Sequence, residues 1–137
     1  AAKTVQLIET LLTIAAPLPE ALERLHDLSV DLPAITSAVD GLAARKAALE
    51  ARGVDVQTLP FEANYGRTSM EYYDGFVFGF RARDRADLPP LATGGRYDAL
   101  TRRLGANNGS GNGDCREIPA VGGVMRPGVM LELEGGL

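Results

Sequence analysis

The residues of this chain best suited to holding a small polar molecule lie in two short stretches, Glu71-Tyr72-Tyr73-Asp74-Gly75 and Thr93-Gly94-Gly95-Arg96-Tyr97-Asp98. Tyrosine hydroxyls and a carboxylate supply hydrogen-bonding groups. The double glycine lets backbone approach a ligand where any side chain would block it. The chemistry this favours is recognition, although two glycines by themselves specify no ligand. Residues 70–80 read as one long strand, and splitting it by parity separates two faces. Met70, Tyr72, Asp74, Phe76, Phe78 and Phe80 share one face; Glu71, Tyr73, Gly75, Val77 and Gly79 share the other. Glycine weakens a strand, so its repetition on one face predicts something lying close against the backbone, either a ligand or an adjacent helix packed on the sheet.

The elements that must position these stretches follow from periodicity. Val5, Ile8, Leu11 and Leu12 recur at helical spacing in a run that Pro17 ends, and Leu18, Leu22, Leu25 and Leu28 continue the pattern. Asp31 as cap and Pro33 in the first turn start a third helix whose stripe is Ile35, Val39, Leu42 and Leu49, closed by Gly53. Its Arg45, Lys46, Glu50 and Arg52 read as a solvated face. From Val54 the pattern changes to that of a half-buried strand through Val56 and Leu59. Pro89-Pro90 interrupts regularity before an extended stretch from Leu91 to Gly95, and a short helix follows through Leu100 and Leu104. Residues 118–125 read as a buried strand, and an apolar helix runs from about Pro127 to Leu133 before Gly135-Gly136.

Composition narrows the function classes. With 137 residues and 45% hydrophobic content, the chain can bury one real core. A net charge of -4 gives no long-range field for a polyanion, which disfavours bulk electrostatic binding to nucleic acid. Cys115 has no partner for an internal disulfide, and no apolar run reaches the length of an export signal or membrane span, which fits a reducing, cytoplasmic setting. His26 has no second histidine with which to form a metal pair, so neither metal nor cofactor is expected. The glycine-rich residues 105–114 lack the lysine of a phosphate-binding loop and read as a loop. The chain begins Ala-Ala-Lys and enters helical pattern at once, which suits a fragment of a longer protein.

Read in order, EYYDGFVF, TGGRYDAL and IPAVGGVM resemble the histidine-recognition motifs of class II histidyl-tRNA synthetase-like domains. In that family an Arg-Gly-Leu-Asp-Tyr-Tyr stretch, an Ala-Gly-Gly-Arg-Tyr-Asp stretch and a Pro-Ala-Val-Gly stretch build one side of a histidine and ATP pocket. The corresponding positions here are Thr68 to Tyr73, Thr93 to Asp98, and Pro119 to Gly122. The resemblance covers roughly the second half of the chain. It implies an α+β fold with an antiparallel sheet flanked by helices, residues 54–137 forming the C-terminal part of a class II synthetase-like core, and residues 1–53 an insertion-like helical segment. It also implies a histidine-like pocket built from Glu71, Tyr72, Tyr73, Thr93, Gly94, Gly95, Arg96 and Tyr97. There Tyr73 would donate to the imidazole, with Tyr72 behind it and Glu71 ordering both. Arg96, Tyr97 and Asp98 are equally suited to bracing the motif.

The departures concern catalysis. Forming an aminoacyl-adenylate needs cations aimed at the phosphate, and the two arginines that serve this in the family fall here on Thr68 and Val129. Arg67 and Arg126 lie nearby in sequence. Removing one such donor costs about 3 kcal/mol of transition-state stabilisation, so no catalytic residue is assigned. Within the family, the group that keeps the fold and drops aminoacylation is the regulatory subunit of ATP phosphoribosyltransferase. That resemblance implies a catalytic subunit of the same enzyme as partner, activation of the first step of histidine biosynthesis, inhibition transmitted by histidine as ligand, a homodimer of the full-length protein, and neither nucleic acid nor membrane as partner. Two alternatives stand beside it: a catalytic-domain fragment of a histidyl-tRNA synthetase, and an isolated half-domain that binds nothing alone.

Overall fold

Leu18, Ala21, Leu25 and Leu28 form the buried face of α2 (Leu18–Asp31), and Val39 and Leu42 that of α3 (Thr36–Glu50). With Ile14 and Val56 they make the core of the first of two compact units, Ala1–Asn64 and Tyr65–Leu137. The computed structural model describes residues 2–66, 73–106 and 118–135. No helix among them is long and apolar enough to cross a membrane.

The first unit opens with α1 (Ala2–Leu12), whose Val5 and Ile8 remain exposed. Strand β1 (Ala15–Pro17) then carries the chain into α2, so the first helix ends before Pro17 and a short strand intervenes. Asp31 is the last residue of α2 rather than a cap: a 3-10 turn, Pro33–Ile35, stands between α2 and α3, and the Asp31 carboxylate accepts from Lys3 Nζ at 2.9 Å. The close of α3 follows expectation. Gly53 adopts φ +78°, its N–H donates to Glu50 O at 2.9 Å, and Val54 N–H donates to Leu49 O at 3.1 Å beside the Arg52 N–H bond to the same oxygen at 3.0 Å, bonds that satisfy carbonyls at the helix end. On the solvated face Lys46 pairs with Glu50 at 2.7 Å.

Residues 54–59 are not the strand their apolar spacing predicts. Asp55 turns the chain by accepting from Gln57 N–H at 2.9 Å and from the Thr58 hydroxyl at 3.2 Å, a local alternative to strand pairing. Pairing begins later, where β2 (Pro60–Glu62) runs antiparallel to β1 with Ala16 opposite Phe61. Residues 54–64 therefore pack within the first unit.

The second unit is built on an antiparallel sheet of β3 (Val77–Phe80), β4 (Ala92–Arg96) and β5 (Val121–Met125), with β4 in the centre. The strand expected over 70–80 is shorter, beginning at Val77, and residues 67–72 lie outside the described residues. The connection from β3 to β4 closes through Leu91 N–H to Phe80 O at 2.7 Å, and within it Arg85 grips Asp87 through three bonds of 2.9, 3.2 and 2.7 Å. Between β4 and β5 runs α4 (Asp98–Ala106), and α5 (Pro127–Leu133) follows β5, with Pro127 at its first turn and Gly135 at φ +75° just past its end. The architecture is α+β, as expected.

At Gly53 no atom stands within 4 Å of a would-be Cβ, so replacing it meets only the cost of the left-handed backbone. Gly53→Ala is expected to destabilise the first unit by about 1 kcal/mol, read as a lower urea midpoint with unchanged slope.

Candidate functional site

Register fixes which residues share each face of the sheet. Gly95 lies opposite Val77 and Gly122, and Thr93 opposite Gly79 and Val124; these two rows form one face. Phe78, Gly94 and Gly123 form the first row of the other face, followed by Phe80, Ala92 and Met125.

Three tyrosines lie over the first face, each against a glycine. A Cβ on Gly95 would stand 2.9 Å from Tyr73 Cδ1, one on Gly122 would stand 2.8 Å from the Tyr97 hydroxyl, and one on Gly79 would collide with the Tyr65 hydroxyl. The space beside Gly79 is thus filled by Tyr65, neither by a ligand nor by a helix as the sequence suggested. Gly75 departs too: the group against it is the Arg96 side chain, at 2.9 Å from a would-be Cβ. On the opposite face the Phe78 ring crosses Gly94, with Cζ at 2.6 Å from a would-be Cβ.

Beside the tyrosines opens a cleft of about 350 Å³ lined by Tyr73, Tyr97, Leu100, Gly122, Gly123 and Val124. The two tyrosine rings stand 6.1 Å apart at 43°, and the Tyr97 hydroxyl donates to Val121 O at 3.4 Å. No lining residue carries a charge. Such a surface suits a small ligand with a flat ring and a few hydrogen-bonding atoms.

Arg96 turns to the other face. Its Nε donates to Asp98 Oδ2 at 2.6 Å, while Asp98 Oδ1 accepts from Ala120 N–H at 2.8 Å. These two residues brace β4 against the entry to β5, and Tyr97 adds a backbone bond to Ala120 O at 2.9 Å. Asp74 caps α4 from 24 residues away: its two carboxylate oxygens accept from Asp98 N–H at 3.0 Å and Ala99 N–H at 2.6 Å, meeting two orphan donors of the helix start. Arg126 donates to Pro90 O at 3.0 Å and is the residue just before α5, whose first turn holds Val129.

Of the residues expected at the pocket, Tyr73 and Tyr97 line the cleft and Thr93 and Gly95 lie on the same face of β4, whereas Gly94, under Phe78, and Arg96 lie on the opposite face. Glu71 and Tyr72 lie outside the described residues, as do Arg67, Thr68 and Cys115. Sequence reasoning placed Gly122 in a pocket-building stretch but missed Leu100, Gly123 and Val124 as lining. A second glycine pair, Gly122-Gly123, was the available signal. Tyr65 and Asp74 gave none, because each acts through a partner remote in sequence.

The residues 1–123 match a family model described as histidyl-tRNA synthetase. The chain belongs to this family. Among curated relatives, the "ATP phosphoribosyltransferase regulatory subunit" of Agrobacterium fabrum is 36% identical over 118 residues, covering 85% of this chain and 28% of the relative. The same-named protein of Mesorhizobium japonicum is 34% identical over 116 residues, 84% of this chain and 28% of the relative, and that of Brucella ovis 33% over 96 residues, 70% and 22%. The chain thus spans little more than a quarter of the length of the first two relatives. No solved structure matches. The family match reaches across the helical first unit as well, so the family resemblance extends beyond the second half of the chain.

The Asp98 carboxyl is held below the usual range first by the Ala120 N–H and then by the Arg96 guanidinium. A depressed folded-state value means the stabilisation is complete above about pH 3.9, the ordinary aspartate value, and fades as pH falls through the lower folded value. Asp98→Asn is expected to flatten that acid limb in denaturation curves taken across this window, while Asp74→Ala lowers stability by about 1 kcal/mol at neutral pH.

Proposed function

We propose that this chain is part of a non-catalytic regulatory subunit that assembles with the catalytic subunit of ATP phosphoribosyltransferase, in histidine biosynthesis, and that the tyrosine-lined cleft holds the imidazole of histidine. The observation that carries the reading is the name shared by the three relatives above, each a regulatory subunit of that enzyme. The geometry supports it from the ligand's side. Tyr73 and Tyr97 offer flat walls and hydroxyls, the glycines let the ring lie close to backbone, and uncharged walls suit a neutral ring. Of the two cations near in sequence that adenylate chemistry would enlist, Arg126 is bonded instead to the Pro90 carbonyl, and Arg67 lies outside the described residues. The full-length protein is read as a cytoplasmic homodimer whose histidine site transmits inhibition to the catalytic partner.

The description of the family model favours a second reading, the catalytic-domain part of a histidyl-tRNA synthetase. Histidine-dependent exchange of pyrophosphate into ATP separates the two. The regulatory reading expects no exchange above background by the full-length protein, together with saturable histidine binding by calorimetry in the assembled complex. Robust exchange would establish the synthetase instead. Gly95→Ala, which drives a methyl into Tyr73 and the Phe76 carbonyl, is expected to weaken histidine binding about tenfold in that titration.

A further inference from the structure

The cleft has three walls, supplied from separate parts of the chain: Tyr73 ahead of β3, Tyr97 and Leu100 at the start of α4, and Gly122 to Val124 on β5. The β5 wall is tied to the α4 wall at Ala120, whose oxygen accepts from Tyr97 N–H and whose N–H donates to Asp98. Tyr73 is tied to the α4 wall by the side chain next to it. One carboxylate oxygen of Asp74 accepts from Asp98 N–H at 3.0 Å and the other from Ala99 N–H at 2.6 Å. A helix start ordinarily takes its acceptor from the residue just before it. Here that residue is Tyr97, whose hydroxyl donates to Val121 O, and the nearest carboxylate, on Asp98, is engaged with Ala120 and Arg96. A local cap would stabilise α4 equally well while leaving its first turn free to shift against Tyr73. An acceptor beside Tyr73 restrains that shift as well. The bond from Asp74 N–H to Arg96 O at 3.2 Å anchors residue 74 at the end of β4, so what the carboxylate restrains is the α4 turn that follows Tyr97 and carries Leu100.

We infer that Asp74 is a positioning residue of the cleft: it is not among the lining residues, yet its carboxylate fixes the α4 wall against Tyr73 and so sets the affinity for a ring held there. The inference rests on the histidine reading for its ligand but not for its geometry. A ligand in contact with both walls favours the tied arrangement, and by linkage the tie favours the ligand.

The test compares the full chain as wild type, Asp74→Ala, Asp74→Asn and Arg103→Gly by urea denaturation, by calorimetric titration with L-histidine, and by the nuclear Overhauser effect between the Tyr73 and Tyr97 rings of the ligand-free protein. Those rings stand 6.1 Å apart, close enough for the signal. Arg103 is exposed in the last turn of α4 and lines no part of the cleft, so Arg103→Gly weakens the helix without loosening its first turn. Asp74→Ala and Arg103→Gly are expected to lower the urea midpoint alike. Only Asp74→Ala should weaken the ring-to-ring signal and bind histidine about tenfold more weakly. Asp74→Asn, which keeps one acceptor oxygen, should fall between Asp74→Ala and wild type. If Asp74→Ala loses stability but keeps the ring signal and wild-type affinity, the carboxylate is a helix cap alone and the inference is overturned. Weakened binding with the ring signal intact would overturn it too, since the effect would not run through the walls. Absence of saturable histidine binding to wild type would overturn the histidine reading alone, and the ring signal would then decide this inference by itself.

Discussion

Rings laid against bare backbone are the constraint on which the second unit depends. Strands usually cohere through facing side chains, but the centre of this sheet carries Gly94 and Gly95 on β4 and Gly122 and Gly123 on β5, opposite one another in register. What fills the volume on one face comes from outside the ladder, from Tyr73 and Tyr97, and on the other from Phe78, whose ring reaches across its own row. A methyl at Gly95 or Gly122 would meet a tyrosine atom within 3 Å, so the tyrosine positions and the glycine positions are one packing solution. The cleft is the space left over where that solution ends.

Two carboxylates hold this arrangement in place. Asp74 ties the approach to β3 to the start of α4, and Asp98 ties the end of β4 to the residue before β5. Each accepts from backbone N–H groups that would otherwise lack partners, so each trades solvent for fixed donors. Because Tyr73 adjoins Asp74 and Tyr97 adjoins Asp98, the two rings that wall the cleft are set by these bonds. Bracing carboxylates and cleft-lining rings thus alternate along the chain, one residue apart.

Much of this was legible in the sequence. Helical spacing located α2 and α3, Gly53 marked a helix end, the extended stretch from Leu91 to Gly95 fell where β4 runs, and Tyr73 and Tyr97, singled out in the sequence, line the cleft. The errors share a cause. Asp55 diverted residues 54–59 from a strand through side-chain bonds that apolar spacing does not register, and Asp31 found Lys3 in place of a helix start. The glycines of residues 70–80 were correctly read as room for something close, but the occupants, Tyr65 and Arg96, come from outside the strand, and nothing local announces them. Parity along one strand reports which face a residue takes; it is silent on what the chain later lays upon that face.

The contact between Tyr65 and Gly79 also bears on how such a sequence can drift. Either residue changed alone is penalised: a side chain at position 79 has nowhere to go while the ring is present, and loss of the ring uncovers a glycine that contributes nothing to its strand. Changed together, the two can exchange a ring over a glycine for a small residue beside a larger one at little net cost. The pair therefore behaves as a single heritable unit written at two sites fourteen positions apart in the chain, and the same holds for each ring and glycine around the cleft.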